Sequence, residues 1–492
     1  MQMCYRKITL ISCCNLLIVN MTIAKINSHP NVIILFADDQ KWNTINALGN
    51  SNIITPNLDK LAKNSVVFSN GFCFGGNTGA VCIPARNMLM TGKTFFRFEE
   101  DARNFKTNGQ ERPYKPYYAN PNWANLPKNM SKLGYETYFD EKSGWANNPI
   151  IRKQFDYFHD INMPKQLATG RPAKNMVDDA IKYLTKQRDK TKPFFMYLGI
   201  PAPHDPRWSG KKFRNMYEEK DMKLPPNYLP QHPYNIGDMF VRDECLEKWP
   251  RTKEAIKRHL FDYYSLITAM DYDIGRLLDK LDNLNLRENT IIIYSSDQGL
   301  AIGSKGLMGK QNIYDATMKV PFLISVPRVK PSINNSFVYT HDIFPTIIDL
   351  VGGKVPANLD GKSLKQIING DKQLVRTNLL LAYKNYQRAL NDGTWKILKF
   401  PHINKTELYN IKKDPYEIND LANDPKYTKI IKLMMEKLKT EQKIYGDIAP
   451  LSVKKPQKAK FKVPKKINKQ RNWGPYPAGG LAPFDISEIY DE

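Results

Sequence analysis

Residues 31–40 read NVIILFADDQ: six consecutive apolar residues, Val32 to Ala37, run straight into Asp38-Asp39-Gln40. A run with no polar alternation is buried on both faces, as in a parallel sheet covered by helices on either side. Three further runs have the same texture: PFFMYLGI (193–200), TIIIYSS (290–296) and VPFLISV (320–326). Between them lie helix-period segments, NMVDDAIKYLTKQ (175–187) and HLFDYYSLITAMDYDIGRLLDKLDNL (259–284). The second spaces Leu260, Tyr264, Ile267, Ile274, Leu277 and Leu281 at helical intervals. Strand and helix in alternation predict a large doubly wound α/β domain on a mixed, mostly parallel sheet.

Working outward, residues 205–250 are rich in proline and charge. They read as a long surface excursion of the kind that shapes a cleft. After residue 375 the texture changes. LLLAYKNYQRAL, DGTWKILKF and TELYNIKKDP look like short antiparallel strands, and YTKIIKLMMEKLKTEQKIYG (427–446) like a helix. This predicts a catalytic-size α/β domain over 28–375 and a smaller α+β unit over 376–492. The unit includes a lysine-rich stretch, residues 452–471, expected to be a solvated tail or a strap along the surface, with contact to a polyanion as the alternative.

Arg6 and Lys7 precede the mostly apolar ITLISCCNLLIVNMTIA (8–24), the layout of a secretory leader with cleavage near Ala24. A lipoprotein box at Cys13 is the weaker reading, because the apolar run ahead of it is too short. No later stretch reaches membrane-spanning length. A secreted or periplasmic fate sets nucleic acid aside as a partner. It gives the surplus of 73 Lys+Arg over 49 Asp+Glu, a net +24, another meaning: an extracellular polyanion, or a solvated lysine surface. Once the leader goes, Cys73, Cys82 and Cys245 remain, an odd number that allows one disulfide and leaves a thiol to explain.

Three of the apolar runs end in polar clusters: Asp38-Asp39, Asp297-Gln298 and Pro203-His204-Asp205. In an open parallel sheet such clusters lie on one edge, where ligands bind. A lone Asp after a strand is ordinarily a cap or turn residue. A doublet with a second cluster at the same buried edge repels itself unless a cation intervenes. Asp38, Asp39, Asp297 and Gln298 offer only oxygen, which suits Ca²⁺, or less well Mg²⁺, rather than zinc. Cys82, in VCIPARNMLMTG (81–92), does not fit that set as a thiol. Pro84 suits the first turn of a helix, which puts Cys82 at an electropositive N-terminus beside Arg86, where a thiolate would have a lowered pKa. Cys and Arg stand too close for a tyrosine-phosphatase loop. A Cys–His hydrolase using His204 leaves the oxygen donors unexplained.

Cys82-Ile83-Pro84-Ala85-Arg86, followed by Thr91-Gly92, resembles the signature of the formylglycine-dependent (type I) sulfatase family, within the alkaline-phosphatase-like superfamily. Asp38-Asp39, SSDQGLAIGSKGLMGKQNIYDATMKVPFLI (295–324), HDIFPTIIDLVGG with LDGKSL (341–364) and ELYNIKKDPYEINDLA (407–422) resemble its other landmarks. The resemblance implies that a maturation enzyme oxidises Cys82 to formylglycine (3-oxoalanine). Its hydrated aldehyde is an oxygen ligand for Ca²⁺ and an oxygen nucleophile, so Cys82 joins Asp38, Asp39, Asp297 and Gln298 at the metal. It further implies that Arg86 holds the modified residue, that His204 and Lys310 contact the sulfate and the leaving oxygen, that Lys142 is the catalytic lysine of the family's G-K-W-H segment, and that the substrate is a sulfated glycan. Gly144 falls where the family places a histidine. Lys305 also replaces a frequent histidine, altering the surface expected to face the substrate. The alternatives are a phosphoester or phosphonate hydrolase of the same superfamily, and a non-catalytic polyanion-binding relative.

Overall fold

A computed structural model describes residues 29–463, except 110, 112–113, 143–147, 163–165 and 167–168. The expected leader, Cys13, Gly144 and the end of the lysine-rich stretch lie outside the described residues.

Eight strands form the main sheet: β1 (Asn31–Ala37), β2 (Val66–Phe72), β4 (Glu136–Lys142), β5 (Tyr157–Ile161), β6 (Phe194–Gly199), β7 (Thr290–Ser296), β8 (Phe322–Ser325) and β9 (Ser332–Tyr339). Five form a second sheet: β3 (Gly75–Gly76), β10 (Leu379–Tyr383), β11 (Gln387–Asn391), β12 (Trp395–Phe400) and β13 (Lys405–Asn410). The main sheet runs in the order β5-β4-β6-β1-β7-β8-β2-β9. β1 lies between β6 and β7, parallel to both, with Ile34 opposite Tyr197 and Ile293. Its seven residues are all buried, as an uninterrupted apolar run at the centre of a covered sheet requires. The expected doubly wound, mostly parallel architecture is therefore present.

Two apolar clusters sandwich this sheet. Ile33, Leu35, Met196 and Ile292 pack on one face with the long helix Lys253–Asn283. Val32, Ile34, Phe36, Phe195 and Ile291 pack on the other with the helix Cys82–Thr91 and reach the second sheet. The 31-residue helix begins six residues before the expected segment, capped by the Thr252 hydroxyl accepting from the Ala255 amide at 3.1 Å. VPFLISV departs from expectation. It forms β8, which lies between β7 and β2 and is antiparallel to both; a strand covered on both faces is apolar in either direction, so its texture does not reveal its sense. β2, β4, β5 and β9 carry Asn, Ser, Glu, Asp or His among their apolar residues and escape a search for apolar runs.

β10 to β13 are antiparallel neighbours, as expected, and the helix Thr428–Tyr445 covers them. The second sheet also holds β3, contributed from the segment just before Cys82: Gly75 and Gly76 pair in parallel with Ala382 and Tyr383. Gly75 has φ +115, and a Cβ there would stand 1.9 Å from the Ala382 carbonyl oxygen, so no other residue fits. Residues 459–463 lie as a strap on the 205–250 excursion, with backbone bonds from Asn235 to Ala459 and from Phe461 to Pro233. No helix among the described residues is long and apolar enough to cross a membrane.

Candidate active site

Strand order brings the polar clusters together. Asp38 follows β1, Asp297 follows the neighbouring β7, His204 lies beyond β6, and Lys142 ends β4, so all four arrive at the carboxyl edge around the central strand. Asp39 turns the chain with φ 72, a left-handed conformation that is costly for a residue with a side chain and typical of functional turns. Its amide donates to Asp297 Oδ1 at 3.0 Å, which ties the two clusters to each other.

Cys82 is the first residue of the helix Cys82–Thr91, every residue of which is buried. Arg86, one turn on, is fully buried and reaches under the site. Its Nε donates to Asp297 Oδ2 at 3.0 Å, Nη2 stands 3.3 Å from Asp38 Oδ2, and Nη1 pairs with Glu141. Glu141 also accepts from the Tyr197 hydroxyl at 3.0 Å. Lys142 pairs with Asp38. Lys310 Nζ donates to both oxygens of Asp39, at 2.9 and 3.1 Å. Gln298 Nε2 donates to Asp39 Oδ1 at 2.5 Å. His204 Nδ1 lies 2.6 Å from the Asp205 carbonyl oxygen, which leaves Nε2 facing Asp39 at 3.8 Å. The excursion adds a second layer: Arg242 pairs with Asp205 and with Asp243, 2.8 Å away, and Asp243 accepts from Gln311 at 2.7 Å.

Burial and crowding set the charges. Burial would raise the Asp38 carboxyl, but Lys142 and Arg86 outweigh it and hold the group well below the usual carboxylate range. Asp297 goes the other way. Burial and the neighbouring Asp38 push it up to about 7. Burial also pushes the Cys82 thiol up to about 11, overturning the expectation of a lowered pKa. The helix N-terminus cannot offset a site that excludes water and holds Asp38 and Asp297. Cys82 is therefore a neutral thiol near pH 7. Cys73 and Cys245 are buried as well, and among the described residues the allowed disulfide is not formed.

The donor set fits a hard cation. One ligand atom each from Asp38, Cys82 and Asp297 lies within 4.8 Å of the others. Both Asp38 oxygens and Gln298 Oε1 are buried without a hydrogen bond, although Arg86 and Lys142 stand against Asp38 as ion partners. Oxygen acceptors left in that state are what a bound Ca²⁺ or Mg²⁺ would satisfy; the Cys82 sulfur is the soft exception.

Glu141, Tyr197, Arg242 and Asp243 escape the sequence reading. Glu141 is recognisable only once ETYFDEK is seen as a strand, with Thr137, Phe139 and Glu141 on one face and Lys142 at its end. Lys305 corrects an expectation. It is buried, and its Nζ donates to the Tyr409 hydroxyl at 2.9 Å and the Glu417 carbonyl at 2.5 Å, so it anchors the second sheet rather than facing a substrate.

A doubly wound sheet with an acidic centre of oxygen donors at its carboxyl edge defines an α/β protein whose ligand site lies at the strand ends. Residues 30–353 match the family model described as sulfatase, and residues 303–444 match that of the N-sulphoglucosamine sulphohydrolase C-terminal region. The chain belongs to the sulfatase family, and it is a sulfatase by class of enzyme. It is 27% identical over 450 residues to an ulvan-active sulfatase of Formosa agariphila, covering 85% of this chain and 82% of the relative. It is 25% identical over 507 residues to an N-acetylglucosamine-6-O-sulfatase of Bacteroides thetaiotaomicron, covering 86% and 88%. Among solved structures, a protein in complex with its substrate D-glucosamine-2-N,6-O-disulfate superposes with a TM-score of 0.69 at 23% identity, over 86% of this chain and 99% of that one. That last likeness is one of fold.

Proposed function

We propose that this sulfatase is secreted and releases sulfate from a sulfated carbohydrate, with Cys82 matured to formylglycine and Ca²⁺ held by Asp38, Asp39, Asp297 and Gln298. The observation that carries the reading is the buried, neutral thiol set among unsatisfied oxygen ligands. A thiol in that position stays neutral and is a soft, poor ligand for a hard cation, whereas a hydrated aldehyde at residue 82 would offer that cation an oxygen. Calcium would polarise the sulfate oxygens, and the hydrated aldehyde would supply the oxygen nucleophile.

The chain's own residues divide the remaining work. Arg86 spans Asp38, Asp297 and Glu141 and so fixes the carboxylates beneath residue 82. Lys142 and Lys310, each on one aspartate of the doublet, present positive charge where a sulfate group enters. His204 directs Nε2 to the same place while the Asp205 carbonyl holds Nδ1, an arrangement suited to protonating the leaving oxygen. Arg86, Lys142 and Lys310 offset Asp38, Asp39, Asp297 and Glu141 only in part, and a divalent cation would add the positive charge that an entering sulfate group meets. The sugar class follows the relatives' names and the +24 net charge.

The test expresses the protein in a host able to mature sulfatases. Mass spectrometry of the peptide containing Cys82 should show the aldehyde, and ion chromatography should show sulfate released from ulvan or glucosamine sulfates. EDTA should abolish release and Ca²⁺ restore it. Full activity with an unmodified Cys82 refutes the reading.

A further inference from the structure

Five lysines and no acid stand between Ile448 and Val463, and the chemistry at the acidic centre uses none of them. This segment is anchored along its length. The Asn404 side chain donates to the Val453 carbonyl and accepts from the Val453 amide, both at 2.9 Å. The Gln457 amide donates to the His402 carbonyl at 2.8 Å. Lys460 then sits opposite Tyr234 in an antiparallel bridge, between the bonds from Asn235 to Ala459 and from Phe461 to Pro233.

An extended segment sends alternate side chains to opposite sides. Ala459, Phe461 and Val463 pack inward on the core, the Phe461 ring with its centroid 5.4 Å from that of Phe240 and 6.1 Å from that of Trp249. Lys458, Lys460 and Lys462 are exposed on the other side, spaced about 6.6–6.8 Å apart. Lys454 and Lys455 are exposed as well. None of the five ammonium groups has a hydrogen bond or an ion pair among the described residues. The strap is thus a row of uncompensated positive charge on a fixed backbone. It rests on the excursion that flanks the acidic centre: two residues beyond Phe240, Arg242 pairs with Asp205, the neighbour of His204.

The form of the row selects among polyanions. A bilayer takes up apolar side chains together with the basic ones, and here the apolar residues are spent on the core. Single-stranded nucleic acid is held by aromatic rings exposed between the basic residues, and the one ring in the strap, Phe461, is buried. A linear polymer with anions along its length matches a linear row of cations and needs neither. We propose that the strap is a docking surface for a sulfated polysaccharide, which holds the polymer against the excursion and raises the concentration of sulfate esters at the acidic centre. The proposal rests on the glycan reading. It differs from a role in which edge lysines only discourage pairing with another chain, since that role has no ligand.

The test compares Lys458→Gln/Lys460→Gln/Lys462→Gln with a control that removes the same charge elsewhere, Lys429→Gln/Lys432→Gln/Lys439→Gln on the helix Thr428–Tyr445. All six side chains are exposed, and Lys460→Gln alone serves if the strap triple folds poorly. Binding is measured with full-length Cys82→Ala protein on immobilised ulvan and heparin and on their chemically desulfated forms. At about 0.15 M salt the strap triple should bind the sulfated polymers about tenfold more weakly and the control triple within about twofold of the parent. Equal effects from the two triples, no effect from either, or binding indifferent to desulfation overturns the strap as a sulfated-glycan surface. Strap-dependent binding as tight to phosphatidylserine vesicles or to DNA overturns the choice of partner. In matured enzyme the strap triple should raise KM for the polysaccharide about tenfold and leave its kcat and the turnover of 4-methylumbelliferyl sulfate unchanged. An unchanged KM for a polymer that is desulfated overturns the docking role and leaves the glycan reading standing. Cleavage of the aryl sulfate with no polysaccharide or oligosaccharide touched overturns the glycan reading instead, and the binding comparison then decides the strap.

Discussion

Glu141→Gln keeps the shape of the side chain that grips Arg86 and removes only its charge. Both partners are fully buried, and breaking such a pair costs about 3–5 kcal/mol when the survivor is left alone. Arg86 is not left alone. It keeps Asp297 at 3.0 Å and Asp38 at 3.3 Å, and the Gln carbonyl can still accept from Nη1. The net loss is then about 2–3 kcal/mol. Unfolding the roughly 420 described residues at about 2.1 cal/mol/K each gives about 0.9 kcal/mol/K, so the melting temperature drops by about 2–3 °C. The effect on function is larger. Without Glu141 the guanidinium leans harder on Asp38 and Asp297, the carboxylates proposed to hold Ca²⁺. The Ca²⁺ needed for half-maximal sulfate release should rise about 10–100-fold. The assay is a Ca²⁺ titration of sulfate release by matured protein, with thermal melting followed by circular dichroism. Wild-type Ca²⁺ dependence together with an unchanged melting temperature would refute the view that Glu141 restrains Arg86.

Cys82→Ala should abolish sulfate release without lowering the melting temperature by more than a degree or two, since a buried thiol acts as a small apolar group; residual turnover sinks the nucleophile assignment. Asp140, buried on β4, is pushed up to about 8 by burial and then by Asp179 and Glu141. An unfolded chain releases that proton near pH 3.8 and the folded one near 8, so this contribution to stability is present below about pH 4 and lost as the pH rises to 8. Asp140→Asn should therefore stabilise the protein by about 1–3 kcal/mol at pH 8 and by little at pH 4, and matching denaturant curves at both pH values would contradict it. Lys396→Met leaves Asp315 and Glu417 buried without their cation and should cost about 3–5 kcal/mol, read as a lower urea midpoint.

How far the sequence could be read depended on what kind of signal each residue carries. β1, β6 and β7 announce themselves because strands buried on both faces must be apolar throughout, and their ends then place Asp38, His204 and Asp297 on one edge. Cys82, Arg86 and Lys310 were found through a motif. Glu141 was not, because β4 hides carboxylates among its aromatic residues and its burial depends on a partner 55 residues away. The thiol's raised pKa was also invisible. A helix N-terminus can be read locally, whereas the desolvation that overrides it comes from packing. Lys305 shows the same limit: its position in a motif suggested a surface role, and its neighbours on β13 gave it a structural one.

The pairing of Gly75 with Ala382 sets a clock on the birth of this protein. The strand that leads into Cys82 has no partner until about 300 further residues have been made. At roughly 5–20 residues per second, synthesis of that interval takes about 15–60 s. Through that interval the Cys82 segment lacks the strand that finally closes it. A modifying enzyme that must bind the segment in extended form would work within those seconds, and a chain that completes its second sheet first would keep its thiol sealed inside.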